Sequence, residues 1–261
     1  MKTIGTIAKA MLSLATCVPL LFAAEIPQDQ RRSGLSFMAG DTQAIQNDDT
    51  ANPGMLWVLD GEALWKAKAG AAAKSCADCH NDASGGMRGV AARYPAFDTK
   101  LERPVALEQR INLCRTGHQQ ANPFAFESHD LLALTAFVAH QSRGMPIEAG
   151  ADPLLEPFVA KGRELFMRRQ GQLNLACANC HDDNWDRRLA GSAITQAHPT
   201  GYPLYRLEWQ SLGSLQRRLR ACISGIRAQP YDYGAPELVE LELYLMSRAR
   251  GMQVETPAVR P

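Results

Sequence analysis

The sequence predicts a mainly α-helical protein built as a tandem duplication of two similar halves. The first observation is an internal repeat, because residues 61–65 (Gly-Glu-Ala-Leu-Trp) match residues 162–166 (Gly-Arg-Glu-Leu-Phe) at an offset of 101. The second is that the offset becomes 108 further along, where Tyr94 matches Tyr202, so an insertion of seven residues separates the two registers. The third is that helical periodicity is clear in both halves, whereas strand patterns are weak.

The helix that closes each half is the clearest element. In the first half Ser128 can cap a helix that stops near Gly144. In the second half Pro236 suits a first helical position and Gly251 suits the end. Both segments place apolar residues on one face, as expected of helices that pack on a core. These residues are Leu131, Leu134, Phe137 and Val138 in the first half and Leu238, Leu241 and Leu245 in the second.

The N-terminus has the pattern of a secretory signal peptide. A positively charged start precedes an apolar run at residues 10–24, which Pro19 interrupts. The run is shorter than the roughly 20 residues that span a bilayer. We expect cleavage after Ala23 or Ala24, so that the mature protein has no membrane span and lacks Cys17.

The predicted organisation has four parts: a signal peptide at residues 1–24, an N-terminal extension at 25–52, a first domain at 53–150 and a second domain at 151–261. The extension is polar, and we expect it to be irregular and to wrap a partner or the first domain. With 46% hydrophobic residues, both domains can bury a core. A formal net charge of +1 gives no reason to expect nucleic acid or a membrane surface as a partner.

Both halves contain the pentapeptide C-x-x-C-H in the same register of the repeat. This is the attachment signature of c-type haem, in which two cysteines bind the porphyrin through thioethers and the following histidine binds the iron. A zinc site would need four matched ligands, and a dithiol redox site has no use for the histidine. We therefore expect two covalently bound haem c groups. The predicted attachment residues are Cys76, Cys79, Cys177 and Cys180, and the predicted iron ligands are His80 and His181.

A helix before the haem motif and an amphipathic helix after it resemble the class I cytochrome c fold, so the predicted fold is two class I cytochrome c-like domains. Such a haem normally takes a second protein ligand. Met145 and Met252 follow the closing helices, whereas the ligand loop of class I cytochromes precedes that helix, so we expect them to be packing residues. Four histidines have no counterpart in the repeat and are weak candidates: His118, His129, His140 and His198.

Cys114 and Cys222 are the stronger candidates for the second ligand. They match at the offset of 108 and lie in the region before the closing helix, where that ligand is expected. The alternative is a disulfide between them, because two leftover cysteines in an exported chain often pair. Equivalent positions in two side-by-side haem domains should instead each face their own iron. We therefore favour thiolate ligation by both residues.

The five-residue motif Arg-x-x-x-Cys occurs at residues 110–114 and again at 218–222. The C-terminus contains Ala-Arg-Gly-Met at 249–252 and Pro-Ala-Val-Arg at 257–260. Together with the two C-x-x-C-H motifs, these features resemble the SoxA family, the dihaem cytochrome subunits of the SoxAX complex in bacterial sulfur oxidation. The resemblance implies His/Cys ligation of both haems, a periplasmic location, the cytochrome SoxX as partner in a heterodimer and a soluble cytochrome c as electron acceptor. It also implies L-cysteine S-thiosulfotransferase activity, which joins thiosulfate oxidatively to a cysteine of the carrier protein SoxYZ.

The resemblance further assigns roles around the second haem. Cys222 is expected to be catalytic, a persulfide-type ligand whose outer sulfur accepts the thiosulfate group, and Arg218 is expected to bind the dianionic substrate. A helical spacing of four puts both on one face, where a guanidinium can stabilise a thiolate and hold an anion. The alternative for Arg218 is a partner of haem propionates or a solvated surface. Arg217, Arg220 and Arg227 make the same stretch more positive.

Two other functions compete with this one. A dihaem cytochrome c that acts only in electron transfer is expected to use Met or His as the second ligand, and a dihaem peroxidase needs one iron with a releasable site. Two repeat-matched cysteines fit neither function well. By the resemblance the second haem is the catalytic one, and the first is an electron relay or a structural remnant.

Overall fold

The computed structural model describes residues 26–261, and the predicted signal peptide lies outside this range. The N-terminal segment, residues 26–52, contains helix α1 (Gly40–Asn47) and two short 3-10 turns. Two helix-rich halves follow it. Over residues 26–261, every helix is either too short or too polar to cross a membrane.

Both halves contain a long helix, a short helix with the C-x-x-C-H motif, a strand hairpin and two further helices, in that order. This shared order confirms the predicted helical class and duplication. The first half contains helices α2 (Gly54–Lys66), α3 (Ala77–His80), α4 (Ala83–Gly86), α5 (Leu107–Cys114) and α6 (His129–His140), with strands β1 (Ala96–Asp98) and β2 (Arg103–Val105) before α5. The second half contains helices α7 (Glu156–Met167), α8 (Cys177–His181), α9 (Leu215–Gly225) and α10 (Pro236–Arg248), with strands β3 (Arg188–Leu189), β4 (Ser192–Ala193), β5 (Leu204–Arg206), β6 (Ser211–Gly213) and β7 (Val259–Arg260).

A pair of crossed helices forms the core of each half, α2 with α6 in the first and α7 with α10 in the second. At Gly61 a Cβ atom would overlap the carbonyl oxygen of Ala133, and at Gly162 it would overlap that of Glu240. Only glycine allows the backbones to come this close. Because both contacts occupy equivalent positions of the repeat, the two halves use the same helix crossing.

The closing helices begin as the sequence predicts. The Ser128 hydroxyl accepts a hydrogen bond from the Leu131 N–H (3.4 Å) at the start of α6, and Pro236 is the first residue of α10. Gly144 and Gly251 lie beyond the two helix ends with φ of +80° and +85°. Their lack of a Cβ permits this left-handed backbone conformation, which turns the chain away after the end of each helix.

The short strands are the part of the fold that the sequence did not predict. Ala96 pairs with Val105 in the first half and Leu204 pairs with Gly213 in the second, so the β1–β2 and β5–β6 hairpins share one register. Strands of two or three residues are too short to show an alternating pattern. The β3–β4 hairpin occupies the seven-residue insertion after His181, and β7 pairs with β5 in parallel.

Equivalent residues meet each other where the two halves pack together. The rings of Phe126 and Tyr233 stack at a centroid distance of 5.9 Å and an angle of 11°. Pro146 forms a β-bridge with Gln253. Both pairs are related by an offset of 107 in the sequence. When a residue of one half contacts the residue at the matching position of the other half, the two halves are related by an approximate two-fold axis.

The methionines that follow the closing helices lie in this seam. The Met145 carbonyl accepts a hydrogen bond from the Val254 N–H (2.9 Å), and the Met252 carbonyl accepts one from the Ile147 N–H (2.8 Å). The Met252 side chain also packs against a small apolar core between the halves. These positions agree with the expected packing role.

The N-terminal segment packs chiefly on the second half rather than the first. The side-chain oxygen of Gln46, on α1, accepts a hydrogen bond from the Val259 N–H in β7 (3.1 Å). The Asn52 amide donates to the Pro257 carbonyl (2.9 Å). Gln46 and Asn52 are both buried and therefore cannot hydrogen-bond to bulk water. These two bonds supply the partners that their polar groups need.

Candidate haem sites

The first haem motif lies on α3, the next helix in the chain after the long helix α2. Cys76 is partly buried, whereas Cys79 and His80 are exposed. The ring of Trp65, near the end of α2, lies 5.8 Å from the His80 ring, and its Nε1 donates a hydrogen bond to the Asn81 carbonyl (3.1 Å). Helix α2 therefore positions the motif through one buried tryptophan.

Cys114, the last residue of α5, lies close to this motif. Burial raises the pKa of the Cys114 thiol, and a negative charge on Cys79 raises it further. The pKa of Cys76 is raised by burial and by a negative charge on Cys114. Such mutual effects require the sulfurs to be near one another. The fold thus brings the predicted second ligand to the motif of its own half.

The second half repeats this arrangement on α8 and α9. Burial raises the pKa of the Cys177 thiol to about 12, and a negative charge on Cys222 contributes to the increase. Burial and the charge on Cys222 also raise the pKa of Cys180. Cys222 itself is exposed. Among the six cysteines between residues 26 and 261 no disulfide forms, so Cys222 is not paired with Cys114.

The ring of His181 is oriented by a backbone carbonyl. Its Nδ1 lies 2.6 Å from the Thr195 carbonyl oxygen. A carbonyl can only accept, so Nδ1 donates its proton and Nε2 keeps the lone pair that a metal ion requires. Burial lowers the pKa of His181, which favours the neutral ring. Thr195 follows the β3–β4 hairpin, and sequence reasoning did not identify this contact.

A buried ion pair anchors the second motif to α10. The Asp182 carboxylate and the Arg248 guanidinium are 2.5 Å apart, and their side chains are only 5% and 4% exposed. The guanidinium also lies 4.6 Å from the centre of the Phe166 ring. The repeat has Asn81 and Gln141 at the equivalent positions, so the pair belongs to the second half alone. No local pattern could have revealed two residues so far apart in the chain.

Apart from Arg206 on β5, two buried arginine N–H groups have no acceptor within the described range: Nη1 of Arg220 and Nε of Arg248. Both belong to the second half. Buried donors of this kind normally have a partner. A haem carries two propionate carboxylates, and the paired thiols and oriented histidine meet its covalent and axial requirements. The residues of the second half therefore fit a c-type haem.

Arg218 is exposed on α9, one helical turn before the exposed Cys222. Its positive charge lowers the pKa of the neighbouring His181 in addition to the larger effect of burial. The predicted substrate-binding and catalytic residues thus lie on one accessible stretch of helix beside the second motif. Their roles remain predictions.

The weaker histidine candidates have other surroundings. His198 is buried with its Nδ1 3.0 Å from the Arg32 carbonyl oxygen, and burial lowers its pKa to about 4. His129 lies 3.2 Å from the Asp60 carboxylate on the surface. His118 is exposed, and His140 is partly buried.

Comparison with known proteins gives one consistent family. The family model described as "SoxA/TsdA, cytochrome c domain" matches residues 60–147 and again 161–254. The chain is 38% identical over 248 residues to the L-cysteine S-thiosulfotransferase subunit SoxA of Pseudaminobacter salicylatoxidans, covering 93% of this chain and 87% of that protein. It is 39% identical over 232 residues to the SoxA subunit of Rhodovulum sulfidophilum, covering 89% of this chain and 81% of that protein.

A solved structure supports the same grouping. The fold is similar to the crystal structure of SoxXA from P. pantotrophus with a TM-score of 0.85 and 31% sequence identity, covering 88% of this chain and 87% of that one. A cytochrome c domain implies covalently bound haem c, in agreement with the C-x-x-C-H motifs. On its two domain matches, its SoxA relatives and its fold, the chain belongs to the SoxA family of c-type cytochromes.

Proposed function

We propose that this chain is the catalytic subunit of an L-cysteine S-thiosulfotransferase, which joins thiosulfate to a cysteine thiol of the carrier SoxYZ. The relatives named above carry this activity in their names. The observation that carries the proposal is the exposed pair Arg218 and Cys222 beside the second C-x-x-C-H motif. An accessible thiol next to a guanidinium suits a reaction of a sulfur nucleophile with a dianion.

We propose two haem c groups, one in each half. Cys76 and Cys79 would hold the first haem covalently, and Cys177 and Cys180 the second. The axial ligands would be His80 and Cys114 in the first half and His181 and Cys222 in the second. A bound haem would supply one-electron redox chemistry. Joining two sulfur atoms releases two electrons, and such a group can accept and pass on electrons one at a time.

The proposed role of Cys222 is to carry the thiosulfate group through one S–S bond that forms and later breaks. The sulfur of the Cys222 thiolate and the outer sulfur of thiosulfate would form an S–S bond. Two molecules of oxidised cytochrome c would each take one of the two electrons released. The carrier thiol then loses its proton and attacks the sulfur that came from thiosulfate. The bond from that sulfur to Cys222 breaks as the bond to the carrier forms. Arg218 would hold the sulfonate end during both steps.

The other partners are inferred from the same family. The fold's similarity to a solved SoxXA structure supports SoxX as the other subunit of a heterodimer. A soluble cytochrome c would take the electrons, and the N-terminal signal pattern supports function in the periplasm. The competing function, electron transfer alone, is less well supported because Cys222 is an exposed thiol beside an arginine rather than a buried Met or His.

The proposed function is tested by measuring the mass of SoxYZ. The carrier is incubated with thiosulfate, oxidised cytochrome c and the haem-replete chain bound to SoxX. We expect a thiosulfonate adduct with the wild type and none with Cys222→Ala. Equal adduct from Cys222→Ala would move the catalytic site elsewhere. No adduct from any protein, with haems that reduce and reoxidise normally, would favour simple electron transfer.

A further inference from the structure

The repeat allows the surroundings of Cys114 and Cys222, the predicted second iron ligands, to be compared position by position. Strands β1 and β5 and helices α5 and α9 are related by the same offset of 108, so Arg218 stands where Arg110 stands in the first half. By the same offset, Arg206 occupies the position of Asp98. A carboxylate in one half is therefore replaced by a guanidinium in the other.

In the first half the arginine before the cysteine is neutralised. Arg110 Nη2 lies 2.6 Å from an Asp98 carboxylate oxygen, and the guanidinium also hydrogen-bonds the Tyr94 hydroxyl. Backbone N–H groups of Lys100 and Leu101 donate to the same carboxylate, each at 2.9 Å. These hydrogen bonds hold the pKa of Asp98 below its usual value and keep it charged. A small anion would have to displace this carboxylate to reach Arg110.

Among the described residues, no ion pair equivalent to Arg110–Asp98 forms at Arg218. Arg206 replaces the carboxylate, and its Nε is buried without an acceptor in the described part of the chain. One Arg206 amino group donates to Glu208 (3.0 Å), whose side chain is 67% exposed, so water screens this pair. The Arg206 guanidinium lies 5.1 Å from the centre of the Trp209 ring, and that of Arg217 lies 4.0 Å from the same ring.

Tyr202 links these charges to the catalytic sulfur. Burial raises the pKa of its hydroxyl, whereas the positive charges of Arg218, Arg260 and Arg206 each oppose that rise. A negative charge on Cys222 also acts on this hydroxyl. The same phenol therefore lies within electrostatic range of three guanidiniums and of the Cys222 sulfur. In the first half the equivalent Tyr94 hydrogen-bonds the neutralised Arg110.

We propose that Arg206 is a positioning residue for the anionic substrate, because its replacement of the Asp98 carboxylate leaves Arg218 free to bind a tetrahedral sulfur oxyanion beside Cys222. The inference rests on the proposed function and adds to it the reason why only one of two similar halves accepts thiosulfate. Arg206 adds positive charge next to the site, and the absence of a carboxylate keeps Arg218 available.

The test uses the haem-replete chain bound to SoxX in three variants. Arg206→Asp restores the charge arrangement of the first half, and Arg206→Lys keeps the positive charge. Arg88→Asp is the matched control, because Arg88 is an exposed residue of the first half and the change in net charge is the same. Two quantities are measured: the KM and kcat for thiosulfate in carrier conjugation, and the affinity for sulfate, an unreactive dianion, by calorimetry at low ionic strength.

We expect Arg206→Asp to raise the thiosulfate KM and to weaken sulfate binding on the order of 10-fold or more, the effect of one lost charge-assisted contact, with a smaller change in kcat. Arg206→Lys should stay close to the wild type. If Arg206→Asp behaves like Arg88→Asp in both measurements, the inference is wrong. If the wild type forms no carrier adduct but Arg206→Asp still loses sulfate binding, the anion site stands and the proposed function falls.

Discussion

The second haem motif depends on single contacts that the first motif lacks. His181 donates to the Thr195 carbonyl at 2.6 Å, and the next residue, Asp182, pairs with Arg248 in a buried environment. Both contacts hold the end of α8 against residues that follow later in the chain, Thr195 after 14 positions and Arg248 after 66. In the first half the residue after the histidine is Asn81, whose carbonyl accepts a hydrogen bond from the Trp65 indole N–H.

Loss of the buried ion pair should destabilise the protein more than loss of any surface pair. Asp182→Asn leaves the Arg248 charge buried without compensation, and we expect it to lower the free energy of unfolding by about 3 kcal/mol. The double variant Asp182→Asn, Arg248→Gln copies the residue types of the first half and should lose less than the sum of the single changes. Urea unfolding followed by circular dichroism measures all three. Additive losses would show that the charges do not interact.

At the scale of elements, the crossing of two helices in each half sets the position in space at which the C-x-x-C-H motif starts. Helix α2 leads into α3, and α7 leads towards α8, so the angle and depth of each crossing set the start of the motif. On α7, a Cβ atom at Gly162 would overlap the Glu240 carbonyl oxygen of α10. The same holds for Gly61 and Ala133 in the first half.

A side chain at the crossing should push these helices apart. We expect Gly162→Ala to lower the free energy of unfolding by about 2 kcal/mol, because the added methyl group overlaps backbone that cannot rotate away. Gly225→Ala, in α9, is the control, since a Cβ there meets no other atom within 4 Å. The unfolding free energies of both variants are compared with the wild type. Equal values for the two variants would contradict the crossing argument.

At the scale of the whole molecule, the seam between the halves encloses two carboxyl groups. A cavity of about 50 Å³ is lined by Glu108 of α5 and Glu242 of α10, with Tyr94 and Tyr202 around it. The Gln216 amide donates to Glu242 (3.2 Å). Burial is the main cause that raises the pKa of Glu108 to about 7 and that of Glu242 to about 8. The side chains are mostly protonated in mildly acidic solution.

These two carboxyls should make the protein less stable as the pH rises from 6 to 8. The folded chain binds protons here that the unfolded chain, with glutamate pKa near 4.3, releases. Raising the pH from 6 to 8 therefore favours unfolding by about 1 kcal/mol through Glu108 and by about 2 kcal/mol through Glu242. The nearby Glu127, also raised in pKa by burial, adds to the repulsion on Glu108. Urea unfolding at both pH values should show a smaller loss for Glu242→Gln than for the wild type. The exposed Glu208→Gln is the control, and an unchanged slope in Glu242→Gln would refute the assignment.

The sequence by itself determined the features that rest on neighbouring residues. C-x-x-C-H needs five consecutive positions, a closing helix needs one cap and one apolar face, and the duplication is visible because both halves keep their register. The grouping of Cys114 and Cys222 with their own motifs followed from the same repeat. All of these depend on spacing along the chain, which a helix or a loop converts directly into spatial arrangement.

The tertiary structure decided the features that join distant residues. These features are the pairing of Asp182 with Arg248, the acceptor for His181, the packing of the N-terminal segment on β7 and the two-fold seam. They connect residues from 14 to 213 positions apart in the chain. The replacement of Asp98 by Arg206 was present in the sequence, yet its meaning appeared only when the Asp98–Arg110 ion pair was seen. Burial and neighbouring charge, which set the behaviour of these groups, arise from packing and leave no local pattern in the sequence.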